Sequence, residues 1–154
     1  MNILDPIMIA AHSLGAVVWV GGMFLAYRVL RPAAMEIDPP HRLVLWHGVF
    51  SRFFKWVWLA IALIIVSGYW DWSARFSGDV PTLYIQIMQW IGWLMVAFFT
   101  FLYFKPFQTF KKAVEAKNFP EAGGIMQKQI RPIIAINLTL GTLEIIIGAT
   151  GLYW

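Results

Sequence analysis

Residues 7–24 read Ile7-Met-Ile-Ala-Ala-His-Ser-Leu-Gly-Ala-Val-Val-Trp-Val-Gly-Gly-Met-Phe24, an unbroken apolar run with one ionisable side chain, His12. A run this long and this apolar predicts a helix that crosses a bilayer. An ionisable group inside such a helix is costly in lipid and therefore points to function. The same stretch carries a stripe at steps of three and four: His12, Gly15, Trp19, Gly22 and, just beyond, Ala26. Small residues on one face let a second helix approach closely.

The rest of the chain agrees with this reading. Hydrophobic residues make up 60% of the 154 and charged residues 13%, against roughly 25% charged in soluble domains. Mean hydropathy is +0.66. The length allows one domain, residues 1–154. The absence of cysteine excludes disulfides, thiolate metal sites and Cys-linked haem, but not non-covalent haem. The net charge of +4 sits in loops flanking apolar segments, so nucleic acid is not expected as a partner. Nine Trp and five Tyr suit interfacial aromatic belts. The first residues carry Asp5, no Lys or Arg, and no A-x-A pattern, so the first segment is expected to persist as a helix rather than be cleaved.

Four apolar segments stand out, Pro6–Leu30, Phe53–Trp70, Tyr84–Phe104 and Ile133–Trp154. With flanking extensions they predict helices over about 6–32, 40–70, 83–117 and 124–154. The stretch from Lys105 to Arg131 is expected to be helical, broken near Pro120 and Gly123-Gly124. The first connection and its flanks hold Arg28, Arg31, Arg42, Arg52 and Lys55. The third holds Lys105, Lys111, Lys112, Lys117, Lys128 and Arg131. The second has only Arg75, against Asp71 and Asp79. The positive-inside rule places loops one and three in the cytoplasm and both termini on the outer, periplasmic side. The fold expected is an all-α, integral membrane four-helix bundle, multi-pass in a bacterial inner membrane, with the lipid bilayer as its first partner.

Helix four repeats the small-residue stripe with Asn137, Gly141, Glu144, Gly148 and Gly151; helix three offers Met88, Gly92, Met95 and Phe99. Glu144 must face the bundle or a neighbouring subunit, because a carboxylate toward lipid is expensive. Counting from the outer ends, His12, Met88, Gln89 and Glu144 fall in one layer. His41 and His47 fall at the opposite end, about 20 Å away by helix rise.

Each candidate has a bland reading beside the sharp one. His12 is either an interhelical hydrogen-bonding group or a ligand to haem iron, copper or zinc. Met88 is either packing or a second metal ligand, since a His/Met pair raises haem potential. Glu144 is a protonated hydrogen-bonding group, an acceptor for the other His12 nitrogen, or a proton carrier. His41 and His47 are expected in solvent or headgroups, with His47 an alternative ligand at the inner end. Arg28, Arg31, Arg52 and Lys55 read as positive-inside anchors; the sharper reading pairs Arg52 or Lys55 with haem propionates.

The spacing His12, Trp19, Gly22, Phe24, Arg28 (H-x6-W-x2-G-x-F-x3-R) resembles the opening helix of the HemJ-type protoporphyrinogen oxidases, and the small CopD-like membrane proteins look related. Arg52-Phe53-Phe54, the region near Tyr103 and Arg131-Pro132 extend the likeness weakly. The resemblance implies haem b ligated by His12, with Trp19 in the same motif and Arg28 as a conformational or propionate-binding residue. Two departures bear on activity. The early helix-three lysine of HemJ proteins is absent, where this chain has Gln89, Trp93 and Met95. Their Asn-Glu-x-Pro is replaced by Gln129-Ile-Arg-Pro132.

Three functions follow as expectations. The first is a haem-b redox protein, working in electron transfer with a quinone or another membrane partner, or in porphyrinogen oxidation; its catalytic residues are not identified. The second is copper binding or transport through His12 and Met88. The third is a cofactor-free structural or assembly subunit. Four short helices bury little haem surface alone, so a homo-oligomer is expected.

Overall fold

A computed structural model describes residues 3–76, 79 and 81–153; the last residue of the predicted fourth helix, Trp154, lies outside them. The chain forms an all-α four-helix bundle. The helices are α1 (Leu4–Ala34), α2 (Pro39–Phe76), α3 (Leu83–Glu115) and α4 (Phe119–Tyr153). All four are long and apolar enough to cross a membrane. Such a segment must satisfy its backbone polar groups internally, which the helix does.

The termini of each helix follow from local chemistry. At the end of α1 the amides of Met35, Glu36 and Ile37 bond three residues back, to Pro32, Ala33 and Ala34. Asp38 then accepts the first intrahelical bond of α2, from the Arg42 amide at 3.0 Å. Pro39 and Pro40 stand in the first turn, where a missing N–H costs nothing. α2 runs past the predicted stop at Trp70 to Phe76, helped by the Asp71–Arg75 ion pair at 2.7 Å.

α3 bends at Lys105, where φ is −116° and ψ −80°, because Pro106 has no N–H to continue the ladder. The chain reverses over Ala116–Asn118, earlier than the expected break at Pro120 and Gly123-Gly124. Lys117 takes the left-handed conformation, φ 56°. The Asn118 side chain then caps α4 by accepting from the Glu121 amide at 3.4 Å. Pro120 occupies the first turn, so it starts the helix rather than breaking it. Two Arg-Pro pairs, Arg31-Pro32 and Arg131-Pro132, follow stretches where the helix widens to five-residue spacing, Leu25–Leu30 and Met126–Ile130. A proline ring displaces the carbonyl four residues back, and the wider turn absorbs it.

Two hairpins result, α1 on α2 and α3 on α4, with both tight turns at the basic end. The expected stripes are the contact faces. A Cβ at Gly15 would lie 2.8 Å from Ile64 Cγ1, and one at Gly22 would strike the Phe53 ring, so both glycines admit α2 closely. The hairpins join where Val20 seats into Gly141; a Cβ there would lie 2.6 Å from Val20 Cγ2 and 3.1 Å from Met95 Cε. Below this, toward the basic end, the core is aromatic. Phe50 and Phe54 stack at 5.1 Å, and Phe107 stands edge-on to Phe54 at 4.9 Å. The segment Phe53–Trp58 therefore serves packing, with Phe54 and Val57 buried while Lys55 and Trp56 face outward.

Gly141→Leu is expected to lower the thermal midpoint in detergent, by overpacking worth about 1–3 kcal/mol. Gly21→Leu, one face away with nothing within 4 Å of its would-be Cβ, is expected to leave the midpoint within about 0.5 kcal/mol of wild type. Equal effects at the two positions would show that the Val20–Gly141 contact does not join the hairpins.

Candidate functional site

His12 stands on the half-buried face of α1 against α2. Its Nδ1 lies 3.0 Å from Ser67 Oγ. Ser67 is buried, and its hydroxyl donates to the Leu63 carbonyl at 2.5 Å, with a weaker share to Ile64 at 3.2 Å. A hydroxyl has one proton. With that proton on the Leu63 carbonyl, Ser67 Oγ can accept from His12 Nδ1–H, the tautomer in which Nε2 carries the lone pair. Gly68, the next residue, lets the ring lie close to the α2 backbone: a Cβ there would be 3.4 Å from His12 Cε1. An imidazole held through one nitrogen with the other unprotonated is the form in which histidine ligates metals.

Met88 and Glu144 occupy the other hairpin. Met88 packs on Gly148, its Cε 3.1 Å from a Cβ built there. Glu144 lies against Gly92, where a Cβ would be 3.7 Å from Oε1, and that oxygen is buried without a hydrogen-bond partner. The bundle thus brings Met88 and Glu144 to one α3–α4 interface and His12 to the α1–α2 interface. Gln89 donates to the Tyr69 hydroxyl at 3.1 Å, which ties α3 to α2 near the end that carries the termini.

The remaining candidates stand elsewhere. Trp19 is buried in the centre of the bundle, edge-on to Phe99 at 6.1 Å. Arg28 is exposed beside the Tyr27 ring, 5.9 Å from its centroid. Arg52 is exposed and folds back to donate to the Gly48 carbonyl at 3.0 Å. Lys55 is exposed. Sixteen residues of helix separate Arg28 from His12, about 24 Å. Lys55 is twelve residues from Ser67, about 18 Å, and Arg52 is further. None of the three shares the His12 layer.

Of the inner histidines, His41 is exposed as expected. Its Nδ1 lies 2.8 Å from the Asp38 carboxylate, and this hydrogen bond holds Asp38 below the usual carboxylate range. His47 departs from the expectation of solvent or headgroups: its Nε2 is buried and without a partner. Ser67 and Asn137 are the polar groups that matter most to packing. Ser67 is not singled out by the sequence pattern, although a lone Ser-Gly in an apolar run is its signal. Asn137, placed on the α4 stripe, is buried and donates to the Met95 carbonyl across the α3–α4 interface at 3.2 Å.

Fold and site together define a bundle of four helices long and apolar enough to cross a membrane, with an imidazole anchored between two of them. Comparison with family models, with curated proteins and with solved structures finds no match.

Glu144→Leu is expected to keep the fold and raise the thermal midpoint, since it removes an unpartnered buried oxygen worth about 1–3 kcal/mol. A lower midpoint in purified protein would mean that Glu144 holds a partner, such as a group from a second subunit.

Proposed function

We propose that this protein sits in a bacterial inner membrane with both termini outside, binds haem b through His12, and transfers electrons to or from a membrane partner such as a quinone. The observation that carries the reading is the His12–Ser67 hydrogen bond, which anchors the imidazole through Nδ1 inside an apolar helix. Among the described residues no three His, Cys, Asp or Glu side chains converge on one point, so a site built on His12 favours a group that brings its own donors. Haem needs only one or two protein ligands, because the porphyrin fills the other positions, whereas a copper ion takes all its donors from the protein.

Haem when bound supplies a one-electron iron couple whose potential its ligands tune. His12 holds the iron, and Ser67 fixes the ring's tautomer and orientation. Met88, which packs on Gly148 at the α3–α4 interface, is the candidate second ligand. Arg28, Arg52 and Lys55 act as cytoplasmic anchors, because their layer is too far from His12 for propionate contact. Electron transfer is favoured over porphyrinogen oxidation, since the helix-three lysine and the Asn-Glu-x-Pro of the HemJ pattern are missing.

The test is the absorption spectrum of detergent-purified protein, oxidised and dithionite-reduced. Wild type is expected to show a Soret band with sharp reduced α and β bands, absent in His12→Ala. Ser67→Ala is expected to bind haem some 10–100-fold more weakly, as loss of a ligand-orienting partner does. A colourless wild type that takes up no added haem, but binds Cu(I), would replace this reading with the copper one. Failure to bind either would leave the cofactor-free subunit.

A further inference from the structure

At the basic end, between the close of α1, the start of α2 and the start of α4, lies a cleft of about 220 Å³. A water occupies about 30 Å³, so the cleft has room for a sizeable group. Three half-buried arginines line it, one from each helix: Arg31, Arg42 and Arg131. Its other walls are mostly apolar, with Tyr27, Trp46, Phe50 and Phe119 among them.

The three guanidinium groups have no carboxylate partner among the described residues, where the ion pairs are His41–Asp38, Arg75–Asp71 and Lys111–Glu115. Each is instead held by one weak or neutral contact. Arg31 stacks over the Tyr27 ring at 5.1 Å, Arg42 donates to the Ile37 carbonyl at 3.4 Å, and Arg131 donates to Gln127 Oε1. Of the nearby acids, Asp38 is engaged with His41 and Glu121 with Asn118 at 2.6 Å, while Glu36 is exposed and makes no ion pair with the arginines. No acidic side chain lines the cleft. Each guanidinium carries five donors, and one contact leaves most of them free. Three arginines lining one cleft with no acid in its walls suit an anion that can take several of these donors.

The anion must also have an apolar part, because the walls beneath the arginines are aromatic and aliphatic. Gly123 keeps one wall low, with nothing within 4 Å of a Cβ built there. The cleft stands where the apolar spans give way to the basic loops, which is the depth of lipid headgroups. Basic pockets between membrane helices at that depth suit phosphate headgroups. We infer that this cleft binds an anionic phospholipid, with its phosphate held by Arg31, Arg42 and Arg131 and its upper acyl chain along the aromatic wall. The inference rests on the membrane placement proposed above but not on haem binding.

The experiment measures the thermal midpoint of the protein in phosphatidylcholine nanodiscs with and without 20% phosphatidylglycerol, and separately in detergent with inorganic phosphate. Wild type is expected to gain about 3 °C or more with phosphatidylglycerol and nothing with phosphate. The triple variant Arg31→Gln, Arg42→Gln, Arg131→Gln should lose the gain. Gly123→Trp, which fills the cleft and keeps every charge, should lose it too. An equal gain in both variants would reduce the effect to diffuse surface charge and overturn the site. A matching gain with inorganic phosphate alone would make it a free-anion site and overturn the lipid assignment. Failure to insert into nanodiscs would instead remove the membrane placement. An unaltered haem spectrum in the variants separates this site from the one at His12.

Discussion

The bundle depends on close approach at small residues. Lipid gives helices no hydrophobic reason to associate, so backbone proximity and packing have to supply the attraction. Gly15 and Gly22 admit the side chains of α2, and Gly141 admits Val20 and Met95. The last of these contacts matters most, because each hairpin could form without it. Val20 in Gly141 brings α1 onto α4 and turns two hairpins into one bundle. Asn137, one turn before Gly141, adds a hydrogen bond to the Met95 carbonyl in the same layer.

That central layer divides the molecule into two unlike halves. Toward the basic end the core is a column of aromatic rings, continued by the buried face of the kinked end of α3, Phe107 and Phe110. Toward the other end the hairpins carry the polar intramembrane groups, His12 on one and Glu144 on the other. His12 and Glu144 at one end and the arginines at the basic end are thus separated by a packed, largely aromatic core. The two proposed sites are independent for this reason. One holds an anchored imidazole, and the other three arginines without a carboxylate partner among the described residues.

Much of the architecture is legible in the order of residues. The small-residue stripes on α1 and α4 are the observed contact faces, since a 3.6-residue period decides which residues share a side. The helix breaks are less legible. Pro120 and the Gly123-Gly124 pair read as a stop, yet proline is tolerated in a first turn, and an Asn cap two residues earlier sets the start of α4 there. His47 also departs from its pattern, because burial of a half-polar ring depends on which neighbours fold over it.

Hydropathy and periodicity in the chain are enough for the four helices and their contact faces, because both are properties of single segments. Only the tertiary structure decided what those segments meet. It paired His12 with Ser67, fifty-five residues away, and so anchors the imidazole through Nδ1. It also gathered Arg31, Arg42 and Arg131 from three helices around one cleft. Both outcomes depend on the relative rotation and depth of packed helices, which no local pattern encodes.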